Sequence, residues 1–293
     1  MTNKHDNSFL RGETNGGIYD ESMKPKGDDS WKSTNLGNGL HFFEPDGGNP
    51  GANMSLIVNN SQAVLIDNGL EKASQVTYNT VKALAGRSID FVINTHLHAD
   101  HLACNSDYVK DGATVIAHDN TMAALLKDEH FNKLGLPNIT FNDTSTLYLS
   151  GQRVTLKHIP NAHTDSDVIV IFDNMNVIHA ADLFFNGIFP FLDVTNGGTL
   201  DGFIAAQQQI IDMADDNTII LPGHGPIGCK ADLEKSVKLI KDIRDVMLPY
   251  VEKGISLNEV VAENPLEKFK EYAWFHISTE RMTQIAYFLV SNN

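Results

Sequence analysis

Three histidines and an aspartate fall within the short stretch NTHLHADH: His96, His98, Asp100 and His101. The chain has 12 histidines in 293 residues, so a cluster this dense asks for a chemical reason. In an extended chain, residues i and i+2 point to the same side. With a strand predicted over 89–95, His96 and His98 stand at its C-terminal end and converge on one point. Asp100 and His101 follow once the chain has turned and aim at a second point nearby. One short segment thus offers two ligands to each of two metal ions. A histidine cluster of purely structural origin has no reason to alternate and then double up, and burying four such side chains without a partner is costly.

Further ligands come from three separate turns. PNAHTDSD places His163, HAADLFFNG places Asp182, and LPGHGP places His224, each after a predicted strand, where loops can gather around one crevice. A carboxylate is the natural bridging ligand, because its two oxygens can serve two cations. The remaining histidines show no such pattern; His179, three residues before Asp182, is the nearest contender for contact with the ligand shell. Cys104 reads as a small buried residue, and Cys229 has no motif around it. Nitrogen and oxygen donors without thiolate suit Zn²⁺, with Mn²⁺ or Fe²⁺ as alternatives. Zinc lowers the pKa of a bound water from about 15.7 to about 7, which puts hydroxide within reach of a carbonyl at neutral pH. No GxSxG element points to a serine nucleophile instead.

The elements that must position these donors alternate between strand and helix. LHFFE, NMSLIVN and QAVLID are short apolar runs, the last two forming a hairpin about Asn60-Ser61. A helix is predicted over 71–85, with Ala73, Val76, Val81 and Leu84 as its stripe and Gly86 as its stop. ATVIAHDN reads as a strand followed by Asp119 or Asn120 as a helix cap. TLYLSGQRVTLKHIP and DVIVIFDNMNVIHAAD read as hairpins turning at Ser150-Gly151 and at 173–176. A helix near 200–214, the strand TIILP, a long helix through Leu233, Val237, Ile240, Met247 and Val251, and helices near 256–262 and 278–290 complete the pattern. Hairpins among the strands and helices on both flanks predict a mixed α/β sandwich. Residues 1–35, rich in Asn, Asp, Gly and Ser, read as an arm ahead of a single domain over 36–293. The Gly/Pro/Asn loop 44–53, with Met54, reads as a flap over the crevice.

Charge and hydropathy narrow the partners. With 22 Lys+Arg against 37 Asp+Glu, the formal charge of −15 argues against nucleic acid, whose phosphates need a basic face. No apolar run approaches the roughly 18 residues of a membrane span, so insertion is not expected. The N-terminus has no apolar signal core; the expected compartment is the cytoplasm, or the periplasm if a signal peptide has been removed. A small-molecule substrate remains.

THLHADH, AHTDSD, AADLF and PGHGP, in that order, resemble the metallo-β-lactamase superfamily. The resemblance covers roughly residues 36–250. It implies a four-layer αββα sandwich with a dinuclear metal site along one edge. It assigns His96, His98 and His163 to a first metal and Asp100, His101 and His224 to a second, with Asp182 bridging or leaning to the second. It further implies a hydrolase opening a cyclic amide or ester, with Asp100 also orienting the attacking hydroxide. Lactonase or thioesterase activity and iron-dependent redox chemistry are the alternatives. The AHTDSDVIV hairpin looks closer to the B1-like β-lactamase branch than to glyoxalase II. Those enzymes, however, carry cysteine at the position of Asp182 and a cation soon after it, whereas residues 183–188 here contain none. Any β-lactamase activity is therefore expected to be weak in KM. Asn186 is the candidate donor to the substrate carbonyl. Phe184, Phe185, Phe189 and Phe191 are the candidates for an apolar substrate wall, about half of them expected in the core.

Overall fold

Apolar residues alternate along the strands, and the alternation decides the layering. In the computed structural model, which describes residues 22–149 and 151–292, one sheet runs in chain order through β1 (Ser30–Gly37), β2 (Leu40–Gly47), β3 (Met54–Val58), β4 (Ala63–Ile66), β5 (Phe91–Ile93), β6 (Thr114–His118) and β7 (Ile139–Phe141). The first four strands pair antiparallel and the last four parallel. A second sheet has the order β13-β12-β11-β10-β9-β8, built from β8 (Thr144–Leu149), β9 (Gln152–His158), β10 (Val168–Phe172), β11 (Val177–Phe185), β12 (Ile219–His224) and β13 (Gly228–Cys229).

Odd and even residues of one strand enter different cores. Val64 and Ile66 of β4, Ile93 of β5 and Ile116 of β6 face the second sheet, where they meet Leu156, Val168, Val170 and Leu221. Their neighbours Leu65, Val92 and Val115 face outward onto α1 (Ser74–Ala85), through Val81, and toward the short helices α2 (Ala99–Leu102) and α3 (Asn105–Lys110), through Tyr108 of α3. Helix α4 (Asp119–Lys127) follows β6. The far face of the second sheet packs on α5 (Leu200–Met213), α6 (Lys230–Glu252) and α8 (Thr279–Ser291) through Phe203, Ile240 and Ile285, with α7 (Leu257–Glu263) between α6 and α8 in the chain. Each such apolar side chain contributes roughly 1.5–3 kcal/mol on burial. The result is the mixed α/β sandwich that the strand and helix pattern predicts, in the αββα form that the family resemblance implies.

Several local expectations change. Strand β1 begins at Ser30, so residues 30–35, assigned to the arm, are an edge strand; residues 1–21 lie outside the described residues, as does Ser150 of the predicted turn. The cap of α4 is His118 rather than Asp119 or Asn120. Its ring stacks on His158 at 3.6 Å, and its Nε2–H donates to Asn142 O, which leaves Nδ1 to accept from Asn120 N–H at 3.1 Å. The helix over 71–85 forms as a 3₁₀ turn plus α1, and Gly86 closes it at φ 65°.

The segment 44–53 is not a free flap. Strand β2 occupies it up to Gly47, and the rest is tied down: Leu70 N–H donates to Pro50 O (2.8 Å), Ala52 N–H to Asp100 O (3.2 Å) and Asn53 N–H to Gly223 O (2.8 Å). Met54 is fully buried in the outer core. Gly51 sits at φ 140°, and a Cβ there would lie 2.5 Å from Gly69 Cα and 2.9 Å from Asp100 O. We therefore expect Gly51→Ala to destabilise the fold by about 1–3 kcal/mol, read as a lower urea midpoint at unchanged m-value.

Candidate metal centre

Strand β5 ends at Ile93, earlier than the sequence pattern predicts, and Asp67 accounts for this. Beyond β4 the chain turns at Asp67 (φ 59°), whose carboxylate accepts from Thr95 N–H (2.9 Å) and Thr95 Oγ1–H (2.8 Å). The Asp67 side chain thereby replaces the strand ladder at Thr95. Thr95 O in turn accepts from Val168 N–H at 2.8 Å, which fastens the two sheets together at this edge. His96 and His98 consequently leave an irregular segment rather than a strand, and His98 stands just ahead of α2, which carries Asp100 and His101. They still converge: His96 Nε2 and His98 Nδ1 are 3.0 Å apart.

The outer nitrogen of each of four histidines has an acceptor. His101 Nδ1 lies 2.7 Å from Asp67 Oδ2, His163 Nδ1 2.7 Å from Phe191 O, and His98 Nε2 2.8 Å from Asp193 Oδ2. His96 Nδ1 lies 3.1 Å from Thr95 Oγ1, whose proton is already committed to Asp67. These partners assign the N–H to the outer nitrogen of every ring and leave four lone pairs facing inward. His163 Nε2 is 2.9 Å from His98 Nδ1, with no proton assigned between them. Asp182 sits among them, with Oδ1 3.0 Å from His101 Nε2 and Oδ2 3.4 Å from His163 Nε2 and 3.5 Å from His224 Nε2. His101 Nε2 and Asp182 Oδ1 are both buried and face each other without the alignment of a hydrogen bond, and neither has another hydrogen-bond partner among the described residues. Converging lone pairs and carboxylates without protons are the donor set of a cation site, and the residues fit a divalent metal.

The donors fall into two groups. His96, His98, His163 and Asp182 form one, and Asp100, His101 and His224 the other; within each, the ligand atoms lie within 4.8 Å of one another. Electrostatics agree with this reading. Burial disfavours charge on His224, yet the Asp182 and Asp100 carboxylates outweigh it and raise its pKa to about 9. The same balance raises His101 well above the ordinary imidazole range. Burial also works against the Asp182 carboxylate, but His101 and His224 hold it well below the usual range. Burial brings His163 down to about 4. Protons on His101 and His224 and a bound cation are thus competing ways to balance two buried carboxylates, so a metal binding here displaces protons.

Asp182 lies within β11, not after it. The pairing of β11 with β12 slips between His179 and Ala181, and Ala181 takes φ 47°, a bulge that re-aims the next side chain. Gly223 of β12 makes room, since a Cβ there would overlap Asp182 Oδ1. His224 follows, between the Phe185 ring (5.1 Å, 13°) and that of Trp274 (5.2 Å).

Asn186 does not face the crevice. Its amide N–H donates to Pro226 O at 2.9 Å and its backbone N–H to His224 O at 2.9 Å, so it braces the His224 turn rather than meeting a substrate carbonyl. Phe184 and Phe189 are core residues, whereas Phe185 and Phe191 line a cavity of about 770 Å³ that reaches His98, Asp100, Asp182 and His224. Cys104 is buried, its Sγ directed at Leu70 O (3.3 Å), and burial pushes the thiol up to about 12. His179 pairs with Ser55 Oγ (2.9 Å) and lies behind Asp67.

Sequence reasoning missed Asp67, Asp193, Asp167 and Trp274. Asp167 accepts from the His163 and Thr164 N–H groups, both at 2.8 Å, and shapes the His163 turn. An acid at the end of a strand, as in VLIDNG, could have pointed to Asp67; Asp193 and Trp274 carry no local signal. We expect Asp67→Asn to weaken metal binding ten- to a hundredfold, since an amide cannot hold both Thr95 donors and the His101 N–H; competition with a chromophoric chelator measures it.

Comparison with known proteins agrees with this geometry. No curated protein matches the chain significantly. Among solved structures, a metallo-beta-lactamase from Pontibacter korlensis superposes with a TM-score of 0.63 at 19% identity, covering 72% of this chain and 99% of its own. The DIM-1 metallo-beta-lactamase gives 0.61 at 17% identity, covering 73% and 99%. A metallo-beta-lactamase from Hirschia baltica gives 0.59 at 19% identity, covering 72% and 98%. At these identities the structures speak for the fold. The profile of the metallo-beta-lactamase superfamily matches residues 47–224, more than half of the chain, and that span includes every donor described above. The chain belongs to the metallo-beta-lactamase superfamily.

Proposed function

We propose that this chain is a zinc-dependent hydrolase with a dinuclear centre that opens a cyclic amide or ester. The observation that carries the reading is the pair of donor groups with Asp182 between them, 3.0 Å from His101 of one and 3.4 Å from His163 of the other. Three imidazoles, from His96, His98 and His163, would hold the first cation, as in mononuclear zinc enzymes. Asp100, His101 and His224 would hold the second, and the Asp182 carboxylate would offset the repulsion between the two. Bound there, the metals would make a water nucleophilic near neutral pH and polarise a carbonyl. Mn²⁺ and Fe²⁺ are compatible with the same donors.

The protein's own contribution is orientation and exclusion of water. The Asp100 carboxylate is partly exposed and lines the cavity, so it can accept a hydrogen bond from the attacking water and set its direction. Phe185, Phe191 and Trp274 limit solvent on the side of His224 and His98. The likeness to solved metallo-beta-lactamases supports placement near the B1-like branch and makes β-lactams candidate substrates. Residues 183–188, just after Asp182, hold no cation; Lys24 and Lys72 line the cavity instead, accompanied by Glu44 and Glu71. A substrate carboxylate would meet a divided field there, so β-lactam turnover should be limited by KM. Metal quantification together with a nitrocefin and lactone hydrolysis screen tests the reading.

Elemental analysis after zinc-supplemented purification should give two equivalents per chain, and His96→Ala should lose metal and hydrolysis together; near-full activity in that variant would remove the first site. Asp182→Asn keeps the size but not the charge. It should retain the fold by circular dichroism, lose the second metal preferentially and lower kcat by orders of magnitude. Two retained metals with normal turnover would demote Asp182 to an outer role.

A further inference from the structure

Part of the cavity wall beside His224 is built by residues outside the span that matches the superfamily profile. Trp274, Phe275 and His276 lie between α7 and α8, beyond residue 224, yet line the same cavity as the candidate metal ligands, together with Ile188 and Phe191. This segment is locked in place. Trp274 Nε1–H donates to Phe189 O at 2.9 Å, Phe189 N–H to Tyr272 O at 2.7 Å, and Trp274 N–H to Ile277 O at 3.0 Å. Arg281, buried behind it, donates to His276 O at 2.7 Å and lies over the Phe191 ring at 5.2 Å. Because the indole N–H is engaged by the protein, what Trp274 presents to the cavity is hydrocarbon. Trp274, Phe275 and Ile188 are each half-buried, so part of their apolar surface remains to be covered. Away from the candidate ligands the charges of the same cavity are mixed: Lys24 and Lys72 line it together with Glu44 and Glu71, Glu44 is 3.7 Å from Lys32, and Lys72 is 3.5 Å from Asp29.

We infer that Trp274, Phe275 and Ile188 form an apolar subsite beside the metal centre, selecting substrates that carry an uncharged alkyl or aryl substituent near the scissile carbonyl. This rests on the proposed hydrolase reading and names its substrate class. The wall is preformed, so a substituent seated on it gains the hydrophobic term without ordering a loop. Each buried methylene should then improve binding about three- to fourfold until the cavity is filled.

Two series on the zinc-loaded full-length protein test this. The first is binding of N-alkylacetamides of increasing chain length, followed by calorimetry and independent of any turnover. The second is kcat/KM for lactones of increasing alkyl chain length. In the wild type both should climb about three- to fourfold per methylene. In Trp274→Ala, and separately in Phe275→Ala, the gradient should fall below about 1.5-fold per methylene, a ratio within each variant that does not depend on its absolute activity. Should Trp274→Ala fail to fold by circular dichroism, Phe275→Ala carries the comparison. A flat wild-type series, or a gradient intact in the folded variants, overturns the subsite. Amide binding that climbs with chain length while no lactone or nitrocefin is hydrolysed would sink the hydrolase reading and leave the subsite standing. Hydrolysis without chain-length dependence would do the reverse.

Discussion

Four imidazoles whose protons are all directed outward create the constraint on which this fold turns. Phe191 O, the Asp67 and Asp193 carboxylates and the Thr95 hydroxyl each take one N–H, so the inward nitrogens of His163, His101, His98 and His96 have only lone pairs to offer one another. Asp182 adds negative charge to the same buried space. Such a cluster repels itself unless a cation or several protons neutralise it, and the surrounding protein must hold it together meanwhile. Outward hydrogen bonds do that, fixing both tautomer and ring angle.

Two pieces of irregular backbone serve that cluster directly. Asp67 and Ala181 are two of the non-glycine residues at positive φ, and each aims a carboxylate at the centre, directly at Ala181-Asp182 and through Thr95 and His101 at Asp67. Local strain of this kind persists only where surrounding contacts over-determine it. Here the contacts are the close approaches at Gly51 and Gly223, where any side chain would collide with Asp100 or Asp182. The segment 48–53 is consequently part of the site's wall and frame, bonded to Asp100 O and Gly223 O.

Donors and part of the wall have different origins in the chain. All seven candidate donors lie within 47–224, the span shared with the superfamily, whereas Trp274, Phe275 and His276 come from the connection between the last two helices. A fold that keeps its donors on the sheet edge and changes its walls in appended segments can vary what it accepts without disturbing the chemistry. The Trp274 ring 5.2 Å from His224 joins the two parts, so wall and donor are not independent.

The features legible in the residue order are the local ones. Four donors packed into HLHADH are legible because residues i and i+2, and then the next turn, cannot avoid sharing a small volume. The sandwich is legible because strand periodicity and helix stops such as Gly86 act over a few residues. Tertiary structure decided the rest. Asp67 meets His101 across 34 residues, His98 meets Asp193 across 95, and Trp274 reaches Phe189 across 85, with no short-range pattern to announce them. Asn186 stands beside the donors in sequence yet faces the Pro226 turn, because the bulge at Ala181 resets which side chains of β11 point inward. Strand alternation predicts a side chain's face only while the ladder is regular, and at this edge the Asp67 side chain and the bulge at Ala181 break it.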